Sequence, residues 1–299
     1  MDQKDLWAIE LLSLYEQRNT VAIKKKLFEN TDLLIYLHEI LAEKNVQLQE
    51  KDMYSEQLII KFHLQNLSVL KLSEGHPIES RFFNNKAPHI KFLDISSIIT
   101  IMRSQYESLL MYQHLYVNTQ LENEQKLRFQ SWIMSSMMLR RTVFAESKTY
   151  NQEQADNEVA AINRLRESIK NNENFKFLSE KQQKSLLEIG SGKLFKTWDT
   201  LFKESKFAKG GVFSKIYYTA SIYAHSEGIL ALQLKETKHL MNNQYMQENL
   251  YLMLFYSYLM TNIMIKNIVN KFPEVAERFE SIDEKTRYEV DFNYELSFK

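Results

Sequence analysis

The chain has 299 residues, with 38 Lys+Arg against 38 Asp+Glu. That zero balance gives no general pull toward nucleic acid or an anionic membrane, and 44% apolar with 25% charged residues is a globular mix rather than a disordered one. Six Gly and three Pro, where ordinary usage gives about 20 and 15, argue against turn-rich sandwiches, barrels, propellers and doubly wound nucleotide folds; the lack of Cys removes disulfides, a thiol nucleophile and Cys-ligated metals.

Helical spacing begins at once. Leu6, Ile9 and Leu12 predict a first helix reaching about Phe28. Thr31-Asp32 is read as the cap of a second helix carrying Leu34, Leu37 and Leu41 on one face. The polar stretch Glu43 to Asp52 leads to a third with Leu58, Phe62, Leu67 and Leu70, and the two could be one long helix. Gly75, Pro77, Asn84, Asn85 and Pro88 mark a long loop over 73–89. Helices are then expected near 94–118, 122–146 and 152–170, with shorter ones at 179–189 and 193–205. Two long helices, about 212–240 and 244–271, follow, and Pro273 should stop the last.

Beyond Pro273 the period changes. Tyr288, Val290, Phe292, Tyr294, Leu296 and Phe298 alternate with polar residues, which is a strand signal. Its partner would be the 89–92 stretch or the same strand of a second copy; the bland reading is an extended tail. The expected fold is therefore all-α, a multi-helix bundle of long helices with a short C-terminal β-strand. The domains are expected as an N-terminal helical extension over 1–72, a central bundle over 90–281 and the strand or tail over 287–299.

The start, Met1-Asp2-Gln3-Lys4-Asp5, lacks the basic and apolar regions of a signal peptide. The charge-free stretch Asn249 to Ile265 is slightly short for a bilayer and reads as a buried core helix. A cytoplasmic location without membrane contact is expected. Gly190-Ser191-Gly192-Lys193 fails the phosphate-loop pattern, since Leu187 and Leu194 stand where Gly and Ser/Thr are needed. Glu236-x-x-His239 lacks the second copy that a di-iron bundle requires. No metal or cofactor is expected. Met134, Met137 and Met138 beside Trp132 read as core filling, and Lys24-Lys25-Lys26 and Arg140-Arg141 as solvated faces.

One constellation carries chemistry. Between residues 95 and 117 the only formal charges are Arg103 and Glu107, four apart on one helix face, with His114 seven further on the same stripe. From 216 to 234 the only formal charge is Glu227, and Tyr218, Ser221 and His225 share a face. If these helices pack with 249–265, Arg103, Glu107 and His225 converge, supported by Tyr218, Ser221, Glu227 and His114. Two readings follow. The cluster is a buried pair that fixes helix register, or it lines a pocket in which His225 is a general acid or base, Arg103 holds an anion and Glu107 orients either.

Asp94-Ile95-Ser96-Ser97-Ile98, Arg103-x-x-x-Glu107, Trp198 and Tyr218-x-x-Ser221-x-x-x-His225-Ser226 together resemble an uncharacterised bacterial all-helical family, a domain of unknown function. The similar stretches cover roughly residues 90–230. Some such proteins look distantly like HEPN bundles, many of which are metal-independent ribonucleases of toxin–antitoxin and phage-defence systems. Their mark, Arg followed by four to six residues and then His on one helix, is not met: His114 is too far from Arg103. Two functions remain open, and with them whether this is an enzyme. The first is a non-enzymatic interaction or regulatory protein acting on a protein partner or as a homodimer. The second, implied by the resemblance, is a ribonuclease or nucleotide-binding effector using Arg103, Glu107 and His225; only then would RNA or a nucleotide be bound.

Overall fold

The computed structural model describes residues 1–77, 91–119, 121–144, 152–205, 212–224, 232, 235 and 240–298. It is all-α, as the Gly and Pro deficit requires. The described helices are α1 (Gln3–Glu16), α2 (Thr20–Glu43), α3 (Ser55–Leu72), α4 (Ile95–Tyr116), α5 (Glu122–Phe144), α6 (Gln152–Lys170), α7 (Glu180–Glu188), α8 (Trp198–Ser205), α9 (Val212–Ala224), α10 (Gln244–Lys271), α11 (Pro273–Glu280) and α12 (Glu284–Leu296). Two two-residue strands, β1 (His76–Pro77) and β2 (Lys91–Phe92), pair antiparallel, and Phe92 also bridges Leu240. The rest of the expected 73–89 loop lies outside the described residues.

Two compact units result. The first holds residues 1–47, 54–109 and 206–299; the second holds 48–53 and 110–205. In the first, α10 is the core. Seventeen of its residues are buried, from Met246 to Val269. It is long and apolar enough to cross a membrane, yet 78% of its apolar window is covered by protein. Helices α2, α3, α11 and α12 pack on it. In the second unit, α5 and α6 pack together around Leu127, Met134, Ile162, Ile169, Phe175 and Leu186, with Met137 and Met138 against that core. Gln130 on α5 donates to Ser168 on α6 at 2.8 Å.

The helix boundaries match the sequence reading in part. The first break falls at Gln17–Asn19 and not near Thr31. Arg18 takes a left-handed φ of 47°, and the Asn19 side chain caps α2 by accepting from the Val21 and Ala22 amides. Thr31 is mid-helix, its hydroxyl donating to the Leu27 carbonyl at 2.7 Å. Helices α2 and α3 are separate, divided by Asn45 and Tyr54 at positive φ. Pro273 stops α10 and also opens α11 at its first turn, where its missing N–H costs nothing.

The C-terminal strand is a helix. Asp283 caps α12 by accepting from the Thr286 amide. The alternation misled because the buried face is partly polar: Glu289, Val290, Asn293 and Ser297 lie inside at helical spacing. Tyr288 and Phe292 sit one turn apart with centroids 6.0 Å apart, as do Tyr294 and Phe298 at 4.7 Å. The polar groups are bonded: Tyr258 donates to Glu289 at 3.0 Å, and Asn293 donates to the Tyr258 oxygen at 2.8 Å. Val290→Pro, inside a packed helix, should cost about 3 kcal/mol or more in urea unfolding; a loose or extended tail would leave the midpoint unchanged.

Candidate functional site

Arg103 and Glu107 project from α4 one turn apart, and α9 supplies the third member, Tyr217. The Arg103 Nε donates to Glu107 Oε1 at 3.3 Å. The Tyr217 hydroxyl donates to the same Oε1 at 2.7 Å. The Arg103 Nη2 reaches the Tyr217 oxygen at 3.5 Å, and the guanidinium carbon lies 5.2 Å from the Tyr217 ring centroid. Tyr106 packs on Tyr217, centroids 5.7 Å apart. Both charged side chains are largely covered, with 21% and 27% of their surfaces exposed. A charge so placed stays ionised only with a partner, and here the two partners are each other and a phenol.

The electrostatics keep Arg103 and Tyr217 away from proton transfer at neutral pH. Burial raises the Tyr217 pKa, reinforced by its hydrogen bond to Glu107. Burial alone would lower that of Arg103, but Tyr217 and Glu107 together raise it. The phenol keeps its proton and the guanidinium keeps its charge. The void beside them, lined by Met102, Tyr106, Ala220, Tyr256 and Met260, is about 10 Å³. That is room for roughly one water. Helices α4, α9 and α10 do meet here, as their lack of charge suggested.

His225 and Glu227 lie outside the described residues. Tyr218 is 69% exposed and faces away from the core. Ser221 donates back to the Tyr217 carbonyl at 2.9 Å, an ordinary helix contact. His114 belongs to the second unit. It is fully buried, and neither ring nitrogen has a hydrogen-bond partner among the described residues. Its carbonyl accepts from Arg128 Nη1 at 2.9 Å. Sequence spacing favoured Tyr218 because it aligns with Ser221 and His225; Tyr217, its neighbour, makes the contact. The available signal was the phenol itself, a neutral donor beside a helix whose only acid needs one.

Of the motifs set aside as decoys, Glu236-x-x-His239 lies outside the described residues, and the others have structural roles. Gly190, at a φ of 87°, ends α7, and a Cβ there would come within 2.9 Å of the Ser135 backbone. The Lys193 ammonium sits 4.0 Å from the Trp198 ring centroid, a cation–π contact in place of a phosphate. Each lysine of the 24–26 run has a carboxylate within 4 Å: Glu74, Glu29 and Glu289. Arg140 pairs with the buried Glu158. Among the described residues no group of three His, Asp or Glu could hold a metal. A groove of about 970 Å³ in the second unit is lined by Met138, Arg141, Arg166 and Glu188. No family model, curated protein or solved structure matches the chain.

His114 has a measurable consequence. Burial, then the charges of Arg128 and Lys196, push its pKa down to about 3. Above pH 6.5 the ring is neutral folded or unfolded, and pH has no effect through it. Between 6.5 and 3 only the unfolded chain takes up the proton, so stability falls as pH falls, by about 1.4 kcal/mol per unit. His114→Leu removes that slope together with the orphaned nitrogens. It should be neutral or stabilising at pH 7 and should flatten the decline in unfolding free energy between pH 6 and 4.

Proposed function

We propose that the chain is a non-enzymatic cytoplasmic protein that works through contacts with other proteins, and that Arg103, Glu107 and Tyr217 lock the register of α4 against α9. The observation that carries this reading is the engagement of Arg103. An arginine that clamps a substrate anion needs free donors facing a space the anion can enter. Here the guanidinium is shared between a carboxylate and a phenol beside a void of about 10 Å³. The pairing of Lys24, Lys25, Lys26 and Arg140 with carboxylates argues the same way, because phosphate backbones are held by free cations.

Contact with protein is supported by apolar side chains left in solvent at helical spacing. Ile60, Leu64 and Leu67 form such a line on α3. The homodimer loses the strand that motivated it, since α12 has no unpaired edge. The ribonuclease reading would need Arg103 released from Glu107 and Tyr217 and brought to a base.

The test pairs stability with activity. Arg103→Met should lower the thermal midpoint by several degrees, because it leaves Glu107 partly buried with one donor fewer, a loss of about 1–2 kcal/mol. Purified full-length chain should leave single-stranded and structured RNA intact. RNA cleavage abolished by Arg103→Met with the midpoint unchanged would reverse the assignment.

A further inference from the structure

The first unit has a groove of about 330 Å³ between α1 and α12, floored by Lys26 of α2. That size lies at the low end of small-ligand sites, about 300–1,000 Å³. It suits a molecule of one amino acid's dimensions, not a dinucleotide or a folded peptide. Two properties of the lining define what fits.

One is aromatic and aliphatic. The Trp7 and Tyr288 rings pack on each other in the lining of the groove, with centroids 5.6 Å apart and planes at 51°. Leu11 and Leu14 complete the apolar wall. Tilted rings of this kind offer an edge and a face to a third ring.

The other is a pair of ion pairs. Lys285 Nζ and Glu10 Oε2 stand 2.7 Å apart at the mouth. Lys26 Nζ and Glu289 Oε1 stand 2.7 Å apart at the floor. Glu289 is only 8% exposed and is fixed from behind by the Tyr258 hydroxyl. The floor is thus preorganised, while Glu10 and Lys285 stay half in water and can turn toward a guest. The four charges cancel. A phosphate-like anion or a polyamine would meet as much repulsion as attraction. A purely apolar guest would strip water from two ion pairs and return nothing. A molecule carrying both signs replaces that water at the outer pair, where Glu10 and Lys285 can each turn to the opposite charge.

We propose that this groove binds a small zwitterion with a flat apolar side chain, an aromatic α-amino acid. The ring lies against Trp7 and Tyr288; the ammonium meets Glu10 and the carboxylate meets Lys285. This site is separate from the Arg103 cluster and stands whether or not that cluster is structural.

Calorimetric titration of the full chain with L-phenylalanine tests it. Saturable binding with a Kd near or below about 1 mM is expected. Phenethylamine and phenylacetate, each lacking one charge, should bind at least about tenfold more weakly, and glycine more weakly still. Trp7→Ala and Lys285→Glu should each weaken phenylalanine binding by about tenfold. Lys285 is surface-exposed, so that variant keeps the fold if Trp7→Ala disturbs α1. No saturation up to about 10 mM phenylalanine, equal binding of either singly charged analogue, or unchanged binding by Lys285→Glu would overturn the proposal.

Discussion

The first unit depends on how a nearly charge-free helix satisfies the few polar groups it buries. Helix α10 places Tyr258, Thr261 and Asn262 at full burial, in a core where an unpaired amide or hydroxyl costs more than a bonded one returns. Asn262 accepts from Asn30 of α2 at 2.8 Å and donates to the Tyr258 carbonyl. Thr261 accepts from Asn66 of α3 at 3.0 Å, and Asn66 in turn accepts from Gln105 of α4. Tyr258 ties in Glu289 and Asn293 of α12, and Tyr15 of α1 donates to Asn293. Apolar packing alone tolerates a slide of one helix along another. A ladder of amides and hydroxyls does not, because a shift of one turn orphans every member.

The Arg103–Glu107–Tyr217 cluster likewise joins α4 to α9, with charges in place of amides. It follows that a polar residue on an apolar helix in this chain is evidence of a neighbour first and of chemistry second. The α1–α12 groove is different in kind. Its outer ion pair is half in solvent and its aromatic wall is not closed over, so its polar groups are not consumed by the packing.

The helices were legible because their buried faces repeat at helical spacing and because Gly and Pro are too scarce for anything else. The core role of 249–265 was legible for the same reason. What misled was polar burial. Glu289 and Asn293 counted as solvent-facing, which turned α12 into an alternating strand; only Tyr258, some thirty residues earlier, explains why they are inside. Thr31 looked like a cap, yet a threonine hydroxyl can also bond back along its own helix, and the choice depends on whether Asn19 already caps the helix. In the site, Arg103 and Glu107 were found because two charges on an otherwise uncharged helix must be paired. Tyr217 was missed because a phenol leaves no mark on charge counts. His114 lay on the expected stripe, but a stripe gives direction and not neighbours.

The register ladder is tested most directly by a double-mutant cycle on Asn30 and Asn262. Asn262→Leu alone should cost about 2–3 kcal/mol in urea unfolding, since it orphans the Asn30 amide. Adding Asn30→Leu should recover a large part of that loss, giving a coupling of about 1 kcal/mol or more. Two independent, additive losses would mean that the amides do not act as a pair, and that α10 is held by apolar packing alone.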